Sequence, residues 1–422
     1  MSTLYGSING RPAGHLERER GGKITWRYQP QYPHQATPLS TLAPIATGGL
    51  TGPSIQAWIE GLLPDTHGVC ERWARELGVR NRPFDLLGTK IGLELPGAVT
   101  FSPDPDGPDP DLGDADPVSE AEIAQLLRGM HQDTTRWVQP HATGRFSLAG
   151  VQAKTALLRD QNGGWLRPHG AWATSHILKP PIPGLPDHHI NEFMCMRAAW
   201  YMGLPVARVE LACFEDQPAV IVERFDRDLR GERYVRLHQE DMCQATGTPP
   251  NQKYQSEGGP SVLTMIDTLR RNVAPDAAQD DIDTLVSAQV FNWVIAGTDA
   301  HAKNYGLLLD GPIVRLAPLY DLGSALSDPQ VDERELKLAM SIAGSYDVSN
   351  PYRGPWHERA AKEWRVDHDR LVSQLTLQLD HVPKIFWLIA AELADDGWAS
   401  PTIEVLANRI QHRAEREGPL VL

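Results

Sequence analysis

Residues 292–326 constrain the fold more strongly than any other part of this 422-residue sequence. Valines that recur every four positions up to Val294 predict a helix, and Gly297 predicts where it stops. A polar loop follows, and then two short apolar runs flank Asp310-Gly311, a dipeptide typical of tight hairpin turns. The hairpin returns the chain so that Asp321 can face the loop. The segment therefore predicts a helix, a loop, a hairpin and a returning aspartate.

The loop carries residue types that phosphoryl transfer requires. That reaction needs a carboxylate near the acceptor hydroxyl and oxygen ligands that hold Mg²⁺ against the phosphates. Asp299 can be the carboxylate, and Asn304 and Asp321 can be the magnesium ligands. Lys303 can neutralise the transferring phosphate. A polar turn that caps the helix would explain the loop residues alone, but it gives no reason for the second aspartate.

His301 lies inside the same loop and has two interpretations. It can contact the bound nucleotide, or it can brace the loop by hydrogen bonds. We predict it among the nucleotide-binding residues and leave both roles open.

A glycine-containing loop in residues 146–158, FSLAGVQAKTALL, predicts contacts with nucleotide phosphates. Such a loop between two strands can bring backbone N–H groups to phosphate oxygens. The candidate residues are Gly150, Val151, Gln152 and Lys154. A plain strand connection with a glycine turn is the simpler alternative.

Lys179 lies on a short predicted strand, HILK, ahead of a helix that bears Glu192. A lysine and a glutamate in this arrangement bind α- and β-phosphates in kinases. Asn191 or Glu210 could take the place of Glu192, and a solvated edge lysine is the ordinary alternative.

The strand that ends at Glu223, Arg224 and Phe225 exposes backbone groups that can contact adenine, with Phe225 as an apolar wall or a core residue. In residues 238–247, HQEDMCQATG, we predict a helix opened by three polar residues, because carboxylates suit a helix N-terminus. These three are Gln239, Glu240 and Asp241.

Changes in composition predict an α+β protein of three domains. Residues 1–118 are β-rich and end in an Asp/Pro-rich run, residues 102–118, expected to be an exposed linker. Residues 119–236 begin with a capping box, Ser119 and Glu122, and continue mainly as strands. Residues 237–422 are mostly helical, apart from one hairpin. The expected picture is a small β-rich N-terminal lobe of two subdomains and a larger helical C-terminal lobe.

Charge and composition favour a cytoplasmic protein without a direct nucleic-acid surface. The net charge is −14, with 54 acidic against 40 basic residues, whereas direct nucleic-acid binding needs a concentrated basic face. No run approaches the ~18 apolar residues of a membrane helix, and the N-terminus lacks the apolar core of a signal peptide. The 4 cysteines lie far apart, which argues against a zinc site or a disulfide scaffold.

In chain order, SLAGVQAKTALL, HILKPP, NEFMCMRAA, VERFDR, HQEDMCQATG, GTDAHAKNYGLLL and LAPLYDLGSAL resemble the successive motifs of the HipA family of kinases. The resemblance is dense over residues 146–326 and looser over the N-terminal region with GTKIGLELPGAV. The Asp/Pro-rich run and the tail after about residue 354 are not closely covered. The resemblance implies a bilobal protein-kinase-like fold.

The resemblance also implies roles, with ATP and Mg²⁺ as cofactors. Asp299 would be the catalytic base, Asn304 and Asp321 the magnesium ligands, and Lys179 a phosphate-binding residue. The backbone of residues 223–225 would contact adenine, and Ser147 would be the site of autophosphorylation. HipA-like toxins phosphorylate an aminoacyl-tRNA synthetase, commonly the glutamyl enzyme. A small HipB-like helix-turn-helix antitoxin restrains them and binds operator DNA, so DNA contact would come only through this partner.

Two other functions fit part of the pattern. A small-molecule phosphotransferase of the aminoglycoside or choline kinase type shares the base–Asn–Asp arrangement. HQEDMCQA and the long β-rich N-terminal region favour the HipA family instead. A catalytically silent nucleotide-binding co-repressor is the other alternative, and the presence of Lys179, Asp299, Asn304 and Asp321 argues against it.

Overall fold

The computed structural model describes residues 2–106, 113–135, 152–170, 172–185, 187–231, 233–349 and 355–421. The chain forms two compact units. The first comprises Met1–Pro180, Ala212–Asn251 and Gly306–Ala317, and the second comprises Pro181–Leu211, Gln252–Tyr305 and Pro318–Leu422. The division into domains 1–118, 119–236 and 237–422 stays a prediction.

Both units contain helices and strands. In chain order, the helices are α1 (Pro53–Gly61), α2 (His67–Leu77), α3 (Pro83–Leu87), α4 (Glu120–Gln132), α5 (His188–Tyr201), α6 (Met242–Thr246), α7 (Val262–Asn272), α8 (Pro275–Val294), α9 (Trp356–Trp364), α10 (His368–Asp395) and α11 (Pro401–Val421). The strands are β1 (Ser2–Ile8), β2 (Arg11–Arg18), β3 (Ile24–Tyr28), β4 (Gly49–Thr51), β5 (Val99–Ser102), β6 (Gly113–Pro117), β7 (Thr155–Arg159), β8 (Trp165–Gly170), β9 (His176–Lys179), β10 (Val209–Phe214), β11 (Gln217–Glu223), β12 (Arg227–Arg230), β13 (Arg233–Arg236), β14 (His238–Asp241), β15 (Gly306–Asp310), β16 (Ile313–Leu316), β17 (Lys337–Ile342) and β18 (Ser345–Asp347).

The first unit is built on β-sheets. One five-stranded sheet has the order β4-β3-β2-β1-β5, and a six-stranded sheet has the order β10-β11-β9-β7-β8-β6, in which β10 begins in the second unit and ends in the first. Strands β7 and β8 form a hairpin, with Leu158 opposite Leu166. Alternating apolar residues on these strands bury one face, and Trp26, Trp58 and Phe101 lie in the shared core.

The second unit is mainly helical. Helix α8 is buried along its C-terminal half, where apolar residues occupy every side, while α10 is amphipathic. Its core contains the fully buried Trp293, Trp356 and Phe386. The Arg413 side chain is also buried, and it donates hydrogen bonds to the backbone carbonyl oxygens of Trp293 and Val348.

Two local predictions are confirmed. Ser119 and Glu122 form the predicted capping box at the start of α4. The predicted hairpin around Asp310-Gly311 is formed by β15 and β16. All four cysteines lie in the described part of the chain, and none forms a disulfide. No helix among the described residues is both long and apolar enough to cross a membrane.

Three local predictions are wrong. The Asp/Pro-rich run is not wholly a linker, because residues 113–117 form β6 and pair with β8, whereas residues 107–112 lie outside the described residues. Gln239 and Glu240 do not open a helix: they lie in β14, which pairs with β15, and Asp241 alone caps α6. The C-terminal region also contains a second hairpin, β17 and β18.

Candidate active site

The candidate site in the second unit begins where α8 ends. The Gly297 N–H donates to the Asn292 carbonyl oxygen at 2.7 Å. A Cβ atom on Gly297 would lie 2.5 Å from Asn292 Oδ1, so no other residue fits without displacing that side chain. The glycine lets the chain leave the helix closely packed against Asn292. The helix itself ends at Val294, three residues before the predicted stop at Gly297.

Asp299 and Asn304 lie in one short loop. The Asn304 side chain donates from Nδ2 to the backbone carbonyl oxygen of Asp299 at 3.0 Å. That oxygen also accepts the His301 N–H at 2.8 Å, and the His301 carbonyl oxygen accepts the Asn304 N–H at 2.9 Å. Since Nδ2 faces the loop backbone, Oδ1 is the Asn304 atom suited to a metal ion. The Asp299 side chain is exposed, whereas Lys303 and Asn304 are buried.

Asp321 is fixed by its neighbours on both sides. The Tyr320 hydroxyl donates to the Lys303 carbonyl oxygen at 2.6 Å, and the Ala325 N–H donates to the Ala296 carbonyl oxygen at 3.1 Å. Asp321 itself has a φ of 59°, in the left-handed region that few non-glycine residues adopt. The structure therefore brings the segment of Asp321 to the loop of Asp299 and Asn304.

His301 is neutral near pH 7. Burial, and then the positive charge of Lys253, lower its pKa to about 4, although the Asp299 and Asp321 carboxylates oppose that shift. Its Nδ1 atom is buried without a hydrogen-bond partner among the described residues. A neutral imidazole cannot supply positive charge to phosphates, and its Nδ1 atom gives the loop no hydrogen bond, so both roles of His301 stay predictions.

Lys154 and Lys179 lie together in the first unit. The register of β7 and β9 pairs Thr155 with Leu178, so Lys154 neighbours Lys179 at the ends of the two strands. Their exposed fractions are only 6% and 5%. The Gln152 side chain donates from Nε2 to the Pro180 carbonyl oxygen at 3.3 Å, which fixes it beside the same strand ends. Two buried lysines therefore lie side by side at this edge of the sheet.

The Arg224 side chain is buried and bonded to other residues of the protein interior. Its guanidinium contacts Glu94 at 3.2 Å and Asp226 at 2.8 Å, and its backbone N–H donates to the Ser175 carbonyl oxygen at 2.9 Å. Glu223 pairs with His176 in the sheet, and Phe225 is half-buried. Any contact of this segment with adenine would therefore have to come from backbone groups, not from the Arg224 side chain.

Ser147, Gly150 and Val151 lie outside the described residues. Their roles stay predictions, as do the roles of the other site residues. Asn191 holds the backbone of Ser324 with both ends of its amide, which makes it a poor partner for Lys179.

Sequence reasoning missed Tyr254, whose hydroxyl donates a hydrogen bond to Asp299 Oδ1. Its ring also contacts His301 edge to face, with 5.1 Å between the ring centroids. The only local signal was the Gly258-Gly259 pair, which marks a turn but does not say what the turn contacts.

The chain is similar to members of one family over nearly its whole length. Residues 146–384 match the model of the HipA-like C-terminal domain, and residues 6–102 match that of the HipA N-terminal domain. Y4mE of Sinorhizobium fredii, a protein named as a kinase, is 32% identical over 416 residues, covering 96% of each chain. The serine/threonine-protein kinase toxin HipA of Shewanella oneidensis is 31% identical over 347 residues, covering 77% of this chain and 75% of that protein.

A solved structure extends the similarity to the fold. It is the HipA chain in a complex of Shewanella oneidensis MR-1 HipA, HipB and operator DNA, with a TM-score of 0.82 and 26% identity. The match covers 99% of this chain and 98% of that one. The predicted α+β, kinase-like fold class is confirmed.

Proposed function

The chain belongs to the HipA family of serine/threonine kinase toxins, and from this premise we propose that it is an ATP- and magnesium-dependent protein kinase. The observation that carries the proposal is the hydrogen-bonded loop of Asp299 and Asn304, to which the segment of Asp321 is tied. One exposed carboxylate therefore lies near two further oxygen-bearing side chains. This is the arrangement that phosphoryl transfer needs.

Asp299 is the proposed catalytic base. Its carboxylate accepts the proton of a serine or threonine hydroxyl while the acceptor oxygen bonds to the γ-phosphorus. The bond from that phosphorus to the bridging oxygen then breaks, and ADP leaves. The exposure of Asp299 is consistent with access for a side chain of another protein.

Asn304 and Asp321 fit a magnesium ion. Among the described residues, no group of three or more His, Cys, Asp and Glu side chains is arranged to hold a metal. Magnesium in kinases is held instead by one or two protein oxygens together with substrate phosphates and water. Asn304 Oδ1 and the Asp321 carboxylate are such a pair. The ion would neutralise charge on the phosphates.

The other proposed contacts, with the phosphates and the adenine of ATP, follow from the charge and the position of the side chains. Lys303 neutralises the transferring phosphate, and Lys154 and Lys179 bind phosphate oxygens at the strand ends where Gln152 is fixed. Gly150 and Val151 are further proposed contacts of the phosphates, and the backbone of residues 223–225 is the proposed contact of adenine. His301, in the same loop as Asp299 and Asn304, is a further proposed contact of the nucleotide.

We extend the proposal to partners. The solved relative is a complex with HipB and operator DNA, so a HipB-like helix-turn-helix antitoxin is the proposed restraint on this chain. The net charge of −14 is consistent with DNA contact through that partner. The proposed substrate is an aminoacyl-tRNA synthetase, with the glutamyl enzyme first.

Labelled ATP in a bacterial lysate tests the proposal. Wild-type protein should label itself and an aminoacyl-tRNA synthetase, and Asp299→Asn should label neither. Asp310→Asn is the matched control, because it makes the same change at an exposed hairpin position and keeps a good turn sequence. If the labelled protein is ribosomal or metabolic, the synthetase is not the substrate. If no protein is labelled, the proposed kinase activity is wrong.

A further inference from the structure

Tyr254 contacts the proposed catalytic base directly. Its hydroxyl donates to Asp299 Oδ1, and its ring meets the His301 ring at an interplanar angle of 83°. The Lys253 ammonium lies 5.7 Å from the centroid of the Tyr254 ring. Two residues of the catalytic loop are thus in contact with one tyrosine outside it.

The segment that carries Tyr254 is fixed at several points. The Ala302 N–H donates to the Lys253 carbonyl oxygen at 3.3 Å, which joins the segment to the loop backbone. The Tyr254 carbonyl oxygen accepts the N–H groups of Glu257 and Gly259, both at 3.0 Å. A Cβ atom on Gly259 would lie 2.3 Å from the Gln252 carbonyl oxygen, so the turn closes only around glycine.

The next residue anchors the turn on its other side. Gln255 donates from Nε2 to Ser341 Oγ at 2.9 Å, and the Ser341 N–H donates to Gln255 Oε1 at 2.9 Å. These bonds tie the turn to β17. Tyr254 is therefore held in place by its surroundings and does not need substrate to order it.

We infer that Tyr254 is a positioning residue for phosphate transfer, an inference that rests on the proposed function of Asp299. A carboxylate accepts several hydrogen bonds, so a bond at Oδ1 leaves Oδ2 for the acceptor hydroxyl. A general base must lie within hydrogen-bond reach of the proton that it takes. Tyr254 fixes the Asp299 carboxylate in one orientation and so directs Oδ2 towards the acceptor.

A blocking role makes the opposite prediction. If the Tyr254 hydroxyl occupied the acceptor position, its removal would raise the rate of phosphate transfer. The fixed turn favours positioning, because a gate must move aside whereas this segment is bonded on both sides.

Tyr254→Phe tests the inference, since it removes the hydroxyl and keeps the ring beside His301. The readout is the autophosphorylation rate of the full chain against ATP concentration at saturating Mg²⁺. We expect the maximal rate to fall about ten- to a hundredfold, as for a misplaced catalytic group. The half-saturating ATP concentration and the melting temperature should stay near wild type. An unchanged or higher maximal rate would overturn the inference.

Two further variants separate the possible failures. Tyr201→Phe removes a tyrosine hydroxyl bonded to the Glu392 carboxylate, away from the loop, and should keep the wild-type rate. Asp299→Asn should be inactive. If Asp299→Asn is inactive and Tyr254→Phe is normal, only the inference about Tyr254 fails. If Asp299→Asn keeps the wild-type rate, or the wild type takes no phosphate, the proposed function fails and the inference with it.

Discussion

Asn191 holds Ser324 through both ends of its side-chain amide. Nδ2 donates to the Ser324 carbonyl oxygen at 2.9 Å, and Oδ1 accepts the Ser324 N–H at 3.0 Å. The Asn191 side chain is buried in α5, and Ser324 lies three residues after Asp321. This bond pair fixes the segment that presents Asp321.

Asn191→Ala should destabilise the protein and slow phosphate transfer. The variant leaves two buried backbone groups of Ser324 without their partners, and we expect the free energy of unfolding to fall by about 2 kcal/mol. Asn408→Ala is the control, because Asn408 is exposed and bonds the Glu404 carbonyl oxygen within its own helix. Urea unfolding measures the stability of both variants. Equal stability of the two variants would contradict the role of Asn191.

Stability should fall in acid because of the buried ion pairs around Glu94. Burial alone would raise the pKa of Glu94, but Arg236, Arg227 and Arg224 outweigh it and hold that pKa well below its usual range. Burial likewise opposes, but does not prevent, the lowering of the Asp226 pKa to about 2. A carboxylate with a lowered folded pKa adds stability above its unfolded pKa of about 4 and loses it below. The urea midpoint should drop steeply from about pH 4 towards pH 2.

Glu94→Gln should remove much of that stability at pH 7. The variant leaves buried guanidinium groups without their shared carboxylate, and breaking such a cluster costs about 3–5 kcal/mol. Glu19→Gln, on an exposed turn after β2, makes the same change and should shift the urea midpoint little. A small effect of Glu94→Gln would mean that water or other groups compensate for the lost charge.

ATP with Mg²⁺ should raise the melting temperature. A ligand that binds only the folded state stabilises it by about 2.7 kcal/mol at a hundred times its Kd. Lys179→Ala should reduce the shift because a charge-assisted phosphate contact is lost. Lys384→Ala, which changes an exposed lysine of α10 paired with Asp380, should keep it. Equal shifts in the two variants would show that Lys179 does not bind the phosphates.

Autophosphorylation at Ser147 should switch the kinase off. A phosphate adds about −1.5 to −2 charges near the predicted phosphate-binding loop, where it would repel ATP. Protein allowed to phosphorylate itself should bind nucleotide more weakly than Ser147→Ala treated in the same way. Phosphate that persists in Ser147→Ala would move the acceptor elsewhere, with Thr155 the next candidate.

Local signals predicted the parts of the fold that local interactions form. The Asp310-Gly311 turn and the capping box of Ser119 depend on residues a few positions apart, and both are present. Glu240 was assigned to a helix because its acidic neighbours suit a helix start. It lies in a strand because its partner strand, β15, is distant in sequence. The sequence did not indicate strand β6, because Asp and Pro are rare in strands. Its partner strand, β8, is also distant in sequence.

The arrangement of the candidate site was predictable where its residues lie in one segment. Asp299, Asn304 and Asp321 share a stretch whose spacing indicated a loop and a returning hairpin. Tyr254 and Asn191 reach this stretch only through the packing of the second unit, so spacing could not indicate their contacts. The burial that lowers the His301 pKa is likewise a property of the folded loop.

Intact-mass spectrometry after incubation with ATP and Mg²⁺ tests the central claim most directly. The protein should gain one phosphate in the wild type and in Asp310→Asn, and none in Asp299→Asn or Asp321→Asn. The loss of rate in the last two should be at least about a hundredfold, or roughly 3 kcal/mol of barrier. All four proteins should remain folded in the same buffer. Equal phosphate on wild type and Asp299→Asn, or none on the wild type, would contradict the account.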